Sequence, residues 1–137
     1  MKVKSDAIKS NTAGTWNVRS MNQGKLEVVK QEMARVNIDI LGISELKWTG
    51  MGEFYSDDHY IYYCSSRQES LRRNGVAIIV NKRVQNTVLG CNLKNNRRIS
   101  VHFQDKPFNI TVIQVYAQPV MLQKLKLSGS MKTYKTF

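Results

Sequence analysis

Between Thr15 and Glu45 the chain places a short apolar run (Thr15-Trp16-Asn17), a segment of helical period, and a second apolar run from Ile38 to Glu45, IDILGISE. This order constrains the fold most, because two strands joined by a helix form a parallel β-α-β unit of fixed hand. Strands running the same way end on the same rim of a sheet. Asn17 and Glu45 are therefore expected together at a carboxyl-terminal edge, where α/β folds build their sites. A third run, Asn109 to Tyr116 (NITVIQVY), ends on a phenol. An amide, a carboxylate and a phenol gathered there suit a divalent metal and a phosphodiester. Mg²⁺ in particular uses only one or two protein carboxylates and keeps several waters. Taken singly, each residue also has an ordinary reading: a solvated strand-end glutamate, a turn-forming asparagine, an amphipathic edge tyrosine.

The connecting segment carries Leu26, Val29, Met33 and Val36 at three- and four-residue spacing, one apolar stripe of a helix. Ser20 or Asn22 is its expected cap, Asn37 its expected stop, and Lys25, Glu27, Lys30, Gln31 and Arg35 decorate its other faces. Gly14 to Val18 is expected as the first strand. Lys47 to Asp58, with two glycines and two aspartates, reads as a loop. Tyr60 to Cys64 reads as an aromatic strand, and Ser65 to Asn74 as a polar, basic loop. The run from Gly75 to Val80 is apolar throughout, as in a strand buried on both faces. A further strand is expected within Val84 to Leu93, broken at Gly90, with a turn at Asn95-Asn96. Ile99, Val101 and Phe103 alternate with polar residues and form an antiparallel hairpin with Phe108 to Tyr116 across a tight connection at 104–107.

A chain of 137 residues is one domain at most, large enough for a real core. No apolar stretch approaches the ~20 residues of a membrane span, and the start, MKVKSDAIKSNTAG, has no apolar centre of a secretory signal. Cys64 and Cys91 accordingly read as free thiols. The net charge of +11 is the strongest compositional signal. Residues 1–13 contribute +2 and residues 121–137 contribute +4, which leaves +5 in the middle. A basic chain attracts nucleic acid, anionic membrane or acidic protein, although a generally solvated basic surface accounts for the same count.

TWNVRSM, DILGISELKW and NITVIQVYA resemble the opening motifs of the endonuclease/exonuclease/phosphatase superfamily. In detail, residues 14–117 resemble the endonuclease domain of RTE-class non-LTR retrotransposons, and most closely the domesticated, bucentaur-related group. The resemblance implies an α/β fold, the first half of a four-layer α/β sandwich, and metal-dependent hydrolysis of a phosphodiester in DNA with Mg²⁺ as cofactor. It assigns Asn17 as site organiser, Glu45 as metal ligand and Tyr116 as contact to the scissile phosphate. Composition sets off a flexible basic leader (1–12) and a basic tail (120–137) that lacks acids and sustained period and reads as unrelated and outside the sheet, which leaves the partial domain at 13–119.

The family pattern continues with G-D-x-N and S-D-H motifs, and neither occurs in this chain. After Tyr116-Ala117 comes Gln118-Pro119 rather than proline directly. His59 and His102 lie in the wrong segments to serve as the missing base, and His102 reads as the polar face of a strand. Little or no nuclease activity is therefore expected of this chain, because groups that act as a unit lose nearly all rate when one is removed. Losing the second sheet would also leave Gly75–Val80 and Phe108–Val115 near uncovered surface, a face for a protein partner. Arg19, Lys47, Arg72, Arg73, Arg97 and Arg98 are candidates to grip a DNA backbone. Trp48 either stacks on an exposed base or caps the core beside its loop. The alternative reading is a non-catalytic basic module that binds nucleic acid or an acidic protein.

Overall fold

The computed structural model describes residues 13–18, 21, 23–65, 75–95, 97–117, 122–128 and 134–136. Along the chain run β1 (Ala13–Asn17), α1 (Gln23–Arg35), β2 (Ile40–Ser44), β3 (Met51–Ser56), β4 (His59–Cys64), β5 (Val76–Asn81), α2 (Lys82–Gln85), β6 (Val88–Asn95), β7 (Arg98–Phe103), β8 (Ile110–Ala117), β9 (Leu122–Ser128) and β10 (Tyr134–Thr136). The chain is α/β, with the one long helix early, as the sequence implies. The leader, the capping candidates Ser20 and Asn22, Asn96, and the loop 66–74 lie outside the described residues.

The expected β-α-β unit is present: β1 and β2 pair in parallel, Ala13 opposite Ile40 through Asn17 opposite Ser44. They belong to a mixed six-stranded sheet in the order β10-β1-β2-β5-β4-β3. Val29 and Met33 from the α1 stripe are fully buried against Leu41, Ile43, Ile61, Ala77 and Ile79 on one sheet face. Asn37 ends the helix at φ 59°. Its amide donates to the Ala34 carbonyl, and the Ile38 amide donates to the Met33 carbonyl at 2.9 Å. This is the helix stop that a left-handed residue makes, and asparagine tolerates it better than most side chains.

Four antiparallel strands, β6-β7-β8-β9, form a second sheet. Ile99, Val101, Phe103, Ile110 and Val112 from this sheet pack against Ile40, Tyr62, Val76, Ile78 and Val80 of the first. The layers are thus helix, sheet, sheet. Among the described residues no helix covers the outer face of the second sheet, where Ile113 and Val115 are half-buried.

Several expectations are corrected. The segment 47–58 is not all loop: Met51–Ser56 is an edge strand paired with β4. Its alternation of exposed and half-buried residues was masked by the glycines and aspartates around it. Within 84–93, Val84 belongs to the short α2, capped by the Asn81 side chain, and β6 starts only at Val88. Lys30 is buried rather than surface decoration. Its ammonium bonds Asp57 at 2.8 Å and the Ser56 hydroxyl at 2.8 Å, tying α1 to the β3–β4 turn.

The face expected to be bare is covered. Residues 76–80 are fully buried, Val76, Ile78 and Val80 under β7 and β8 and Ala77 and Ile79 under α1, whereas in the segment 108–115 Phe108 is exposed and Ile113 and Val115 are half-buried. The tail is not outside the sheets either: β9 pairs with β8, and β10 pairs in parallel with β1. Leu122, Leu125 and Leu127 alternate with lysines only loosely, so the strand signal was weak.

Candidate metal and phosphate site

Because β1 and β2 are parallel and in register, their last residues, Asn17 and Ser44, stand opposite one another. The ladder continues past them, with the Val18 amide on the Ser44 carbonyl at 3.2 Å and the Met21 amide on the Leu46 carbonyl at 2.9 Å. Between those bonds the backbone of Glu45 turns into the left-handed region, φ 58°, and Lys47 repeats the turn at φ 62°. Leu46, fully buried, anchors the segment and donates its amide to the Gly75 carbonyl at 3.0 Å. Gly75 has to be glycine for this packing. A Cβ there would stand 2.5 Å from the Ser65 hydroxyl oxygen and 2.9 Å from the Leu46 Cβ.

These constraints bring Glu45 back over the end of β1. Asn17 Nδ2 donates to Glu45 Oε2 at 2.7 Å, and only 9% of Glu45 is exposed. The carboxylate is thus largely sheltered and held in one orientation by a charge-assisted bond. Such a hard oxygen donor fits Mg²⁺, which is content with one protein carboxylate and water. Among the described residues no three His, Cys, Asp or Glu side chains converge, so the closed donor set of a structural zinc site is not formed there. Were an ion to bind at this rim, Glu45 would hold it, with Asn17 fixing the carboxylate by its hydrogen bond.

Tyr116 lies in β8, its backbone opposite Gln123 of β9, and its side chain is outside the described residues. Arg19, Arg72 and Arg73 are also outside them. Lys47 is exposed beside the site. Trp48 is half-buried. Its indole N–H donates to the Met21 carbonyl, the ring meets Tyr63 edge-on at 5.0 Å, and it lies tilted at 5.7 Å from Phe54. With Lys47 and Thr49 these aromatics line a shallow depression of about 460 Å³. Trp48 therefore caps the helix-side core. Arg97 and Arg98 are exposed at the start of β7.

Neither histidine joins the site. His102 is exposed on the second sheet and shares a 2.9 Å bond with the Thr111 hydroxyl, as expected for a strand's polar face. His59 is buried where β4 begins, opposite Asn81, whose amide bonds the Asp39 carbonyl just before β2, at the rim opposite Glu45. Burial, and then the nearby Lys30 ammonium, hold its pKa below the usual histidine value. Cys64 and Cys91 are free thiols, both pushed up in pKa by burial, so neither is a reactive thiolate.

Sequence reasoning missed Gln114 and Thr15. Gln114 is fully buried between the sheets, and its Oε1 accepts the Thr15 hydroxyl at 3.2 Å. The signal was a lone amide inside the apolar run NITVIQVY, at a position whose neighbours two residues back face the core.

No family model matches the sequence, and no solved structure matches it. Among curated proteins, craniofacial development protein 2 of Bos taurus is 81% identical over 104 residues. Craniofacial development protein 2 of Tragulus javanicus is 80% identical over 104 residues. The matched stretch is 76% of this chain but 17% and 18% of those relatives, so the chain spans less than a fifth of their length. Over about three quarters of its own length, then, this chain is similar to craniofacial development protein 2.

Proposed function

We propose that the chain carries the front part of a metal-dependent phosphodiesterase site of the retrotransposon-endonuclease type, acting on DNA, with little turnover of its own. The observation that carries this reading is the 2.7 Å bond between Asn17 and Glu45 at the rim of a parallel strand pair. Glu45 supplies the carboxylate, and Asn17 holds it in one rotamer. Tyr116, at the end of β8, is the residue that the resemblance assigns to the phosphate. Lys47 stands exposed beside the site, and with Arg19, Arg72 and Arg73 it is proposed to neutralise neighbouring phosphates. Trp48 would serve an unpaired base only through whatever ring surface its neighbours leave. A bound divalent ion, when present, supplies charge neutralisation at the phosphodiester.

Supercoiled plasmid incubated with the purified chain and Mg²⁺ tests the reading. Slow, Mg²⁺-dependent nicking is expected, and Glu45→Ala should abolish it. Nicking that persists unchanged in Glu45→Ala would remove Glu45 from the chemistry.

A second reading, a non-catalytic basic module for nucleic acid or an acidic protein, is favoured by the net charge of +11. It predicts binding that weakens steeply with salt, ignores Mg²⁺ and survives Glu45→Ala.

A further inference from the structure

Among the described residues the core between the two sheets is mainly apolar, and near the rim a polar pair interrupts it. There Gln114 of β8 reaches across to the first sheet, its Oε1 taking the Thr15 hydroxyl at 3.2 Å. The same oxygen fills the volume that a side chain at residue 42 would need: a Cβ on Gly42 would stand 1.8 Å from it. Gly42 and Thr15 are partners in the β1–β2 ladder, and two residues further along stand Ser44 and Asn17, with Glu45 next.

This layer is poorly satisfied. Gln114 Nε2 and the Ser44 hydroxyl oxygen are both buried with no hydrogen-bond partner among the described residues, an arrangement that costs stability. An apolar side chain of similar length at residue 114 would remove part of that cost. The amide oxygen is matched by the Thr15 hydroxyl, but the Nε2 is left over, and local violations of that kind collect at functional sites. The apolar contact around it is non-directional. The Thr15–Gln114 bond and the fit over Gly42 are directional, and they fix how far one sheet slides on the other.

We infer that Gln114 is a positioning residue of the proposed site. It sets the end of β8, which carries Tyr116 two residues on, against the ends of β1 and β2, which carry Asn17 and Glu45. The inference rests on reading Glu45 as the ion ligand.

The test uses a short DNA duplex with cleavage-resistant phosphorothioate linkages, its affinity measured with and without Mg²⁺ at fixed salt, beside thermal melting. The full chain is expected to bind more tightly with Mg²⁺, and Glu45→Ala to erase that gain. Gln114→Met exchanges the orphaned Nε2 for an orphaned Thr15 hydroxyl, so it is expected to melt near the wild-type temperature and yet lose about tenfold of the Mg²⁺-dependent gain, with Mg²⁺-free affinity unchanged. A Gln114→Met chain that keeps the whole gain overturns the inference. So does one that melts lower and weakens with and without Mg²⁺ alike, which is the signature of packing alone. Thr15→Val deletes only the hydroxyl, and it decides the matter in the same way if the residue-114 variant does not fold. Glu45→Ala that leaves the gain intact sinks the underlying reading, whereas loss in Glu45→Ala with none in Gln114→Met and Thr15→Val sinks only the positioning role.

Discussion

Glu45 and Lys47 both hold left-handed backbone, φ 58° and 62°, without being glycine. Each such residue costs about 1–2 kcal/mol, and the Leu46 amide, the Leu46 carbonyl and the buried Leu46 side chain hold them there. Gly75 receives that side chain. Gly75→Ala is therefore expected to destabilise the chain by about 1–3 kcal/mol, the usual cost of overpacking a filled core, read as a lower midpoint in urea with an unchanged slope. It should also displace Glu45 from Asn17, visible as a shifted Asn17 side-chain amide signal in NMR spectra. At this scale the sequence revealed identities better than geometry. Asn17 and Glu45 were legible because the ends of two parallel strands have to coincide. Gln114 was not, since a single polar residue in an apolar run says nothing about which partner it crosses the core to meet. Nor do the letters ELK announce two left-handed turns.

Among the elements, those with a clean period were readable: the α1 stripe, the apolar β5 and the β7–β8 hairpin. Strand β3 was hidden because Gly50 and Gly52 at its start and Asp57 and Asp58 at its end resemble loop punctuation. What makes it a strand is tertiary: β4 supplies the ladder, and Lys30 clamps its turn through Asp57. His59 begins the next strand beside that clamp, near Lys30, Glu27, Asp57 and Asp58, with both ring nitrogens unpartnered among the described residues. Its folded pKa lies below its unfolded value, chiefly through burial, so the unfolded chain takes up the proton first. The stability that His59 contributes is therefore present above the ordinary histidine pKa of 6.5 and is lost as pH falls through and below it. Asp57, depressed by the Lys30 hydrogen bond, adds a loss of the same sign at lower pH. The urea midpoint should drop between pH 7.5 and 5.5, and His59→Phe should flatten that drop. An equal drop in the variant would contradict the assignment.

For the whole molecule, two stacked sheets and one covering helix account for the buried core without a partner over residues 76–80. The resemblance to half of a sandwich implies a bare face at residues 75–80, and the second sheet and α1 cover it instead. Residues 122–128 and 134–136 instead extend one sheet each. A chain ending at Ala117 should accordingly melt at a lower temperature and bind ANS, since the edges of β8 and β1 would be stripped. An unchanged melting curve would return the tail to the status first expected of it. A net charge of +11 favours polyanions without regard to site, so binding alone would not identify the rim as a site. The decisive measurement is a Mn²⁺ titration followed by NMR. Selective paramagnetic broadening of the Asn17 side-chain amide and the Glu45 and Leu46 backbone amides is expected, and Glu45→Gln should abolish it. Broadening spread evenly over the acidic turns, or left unchanged by Glu45→Gln, would contradict the account.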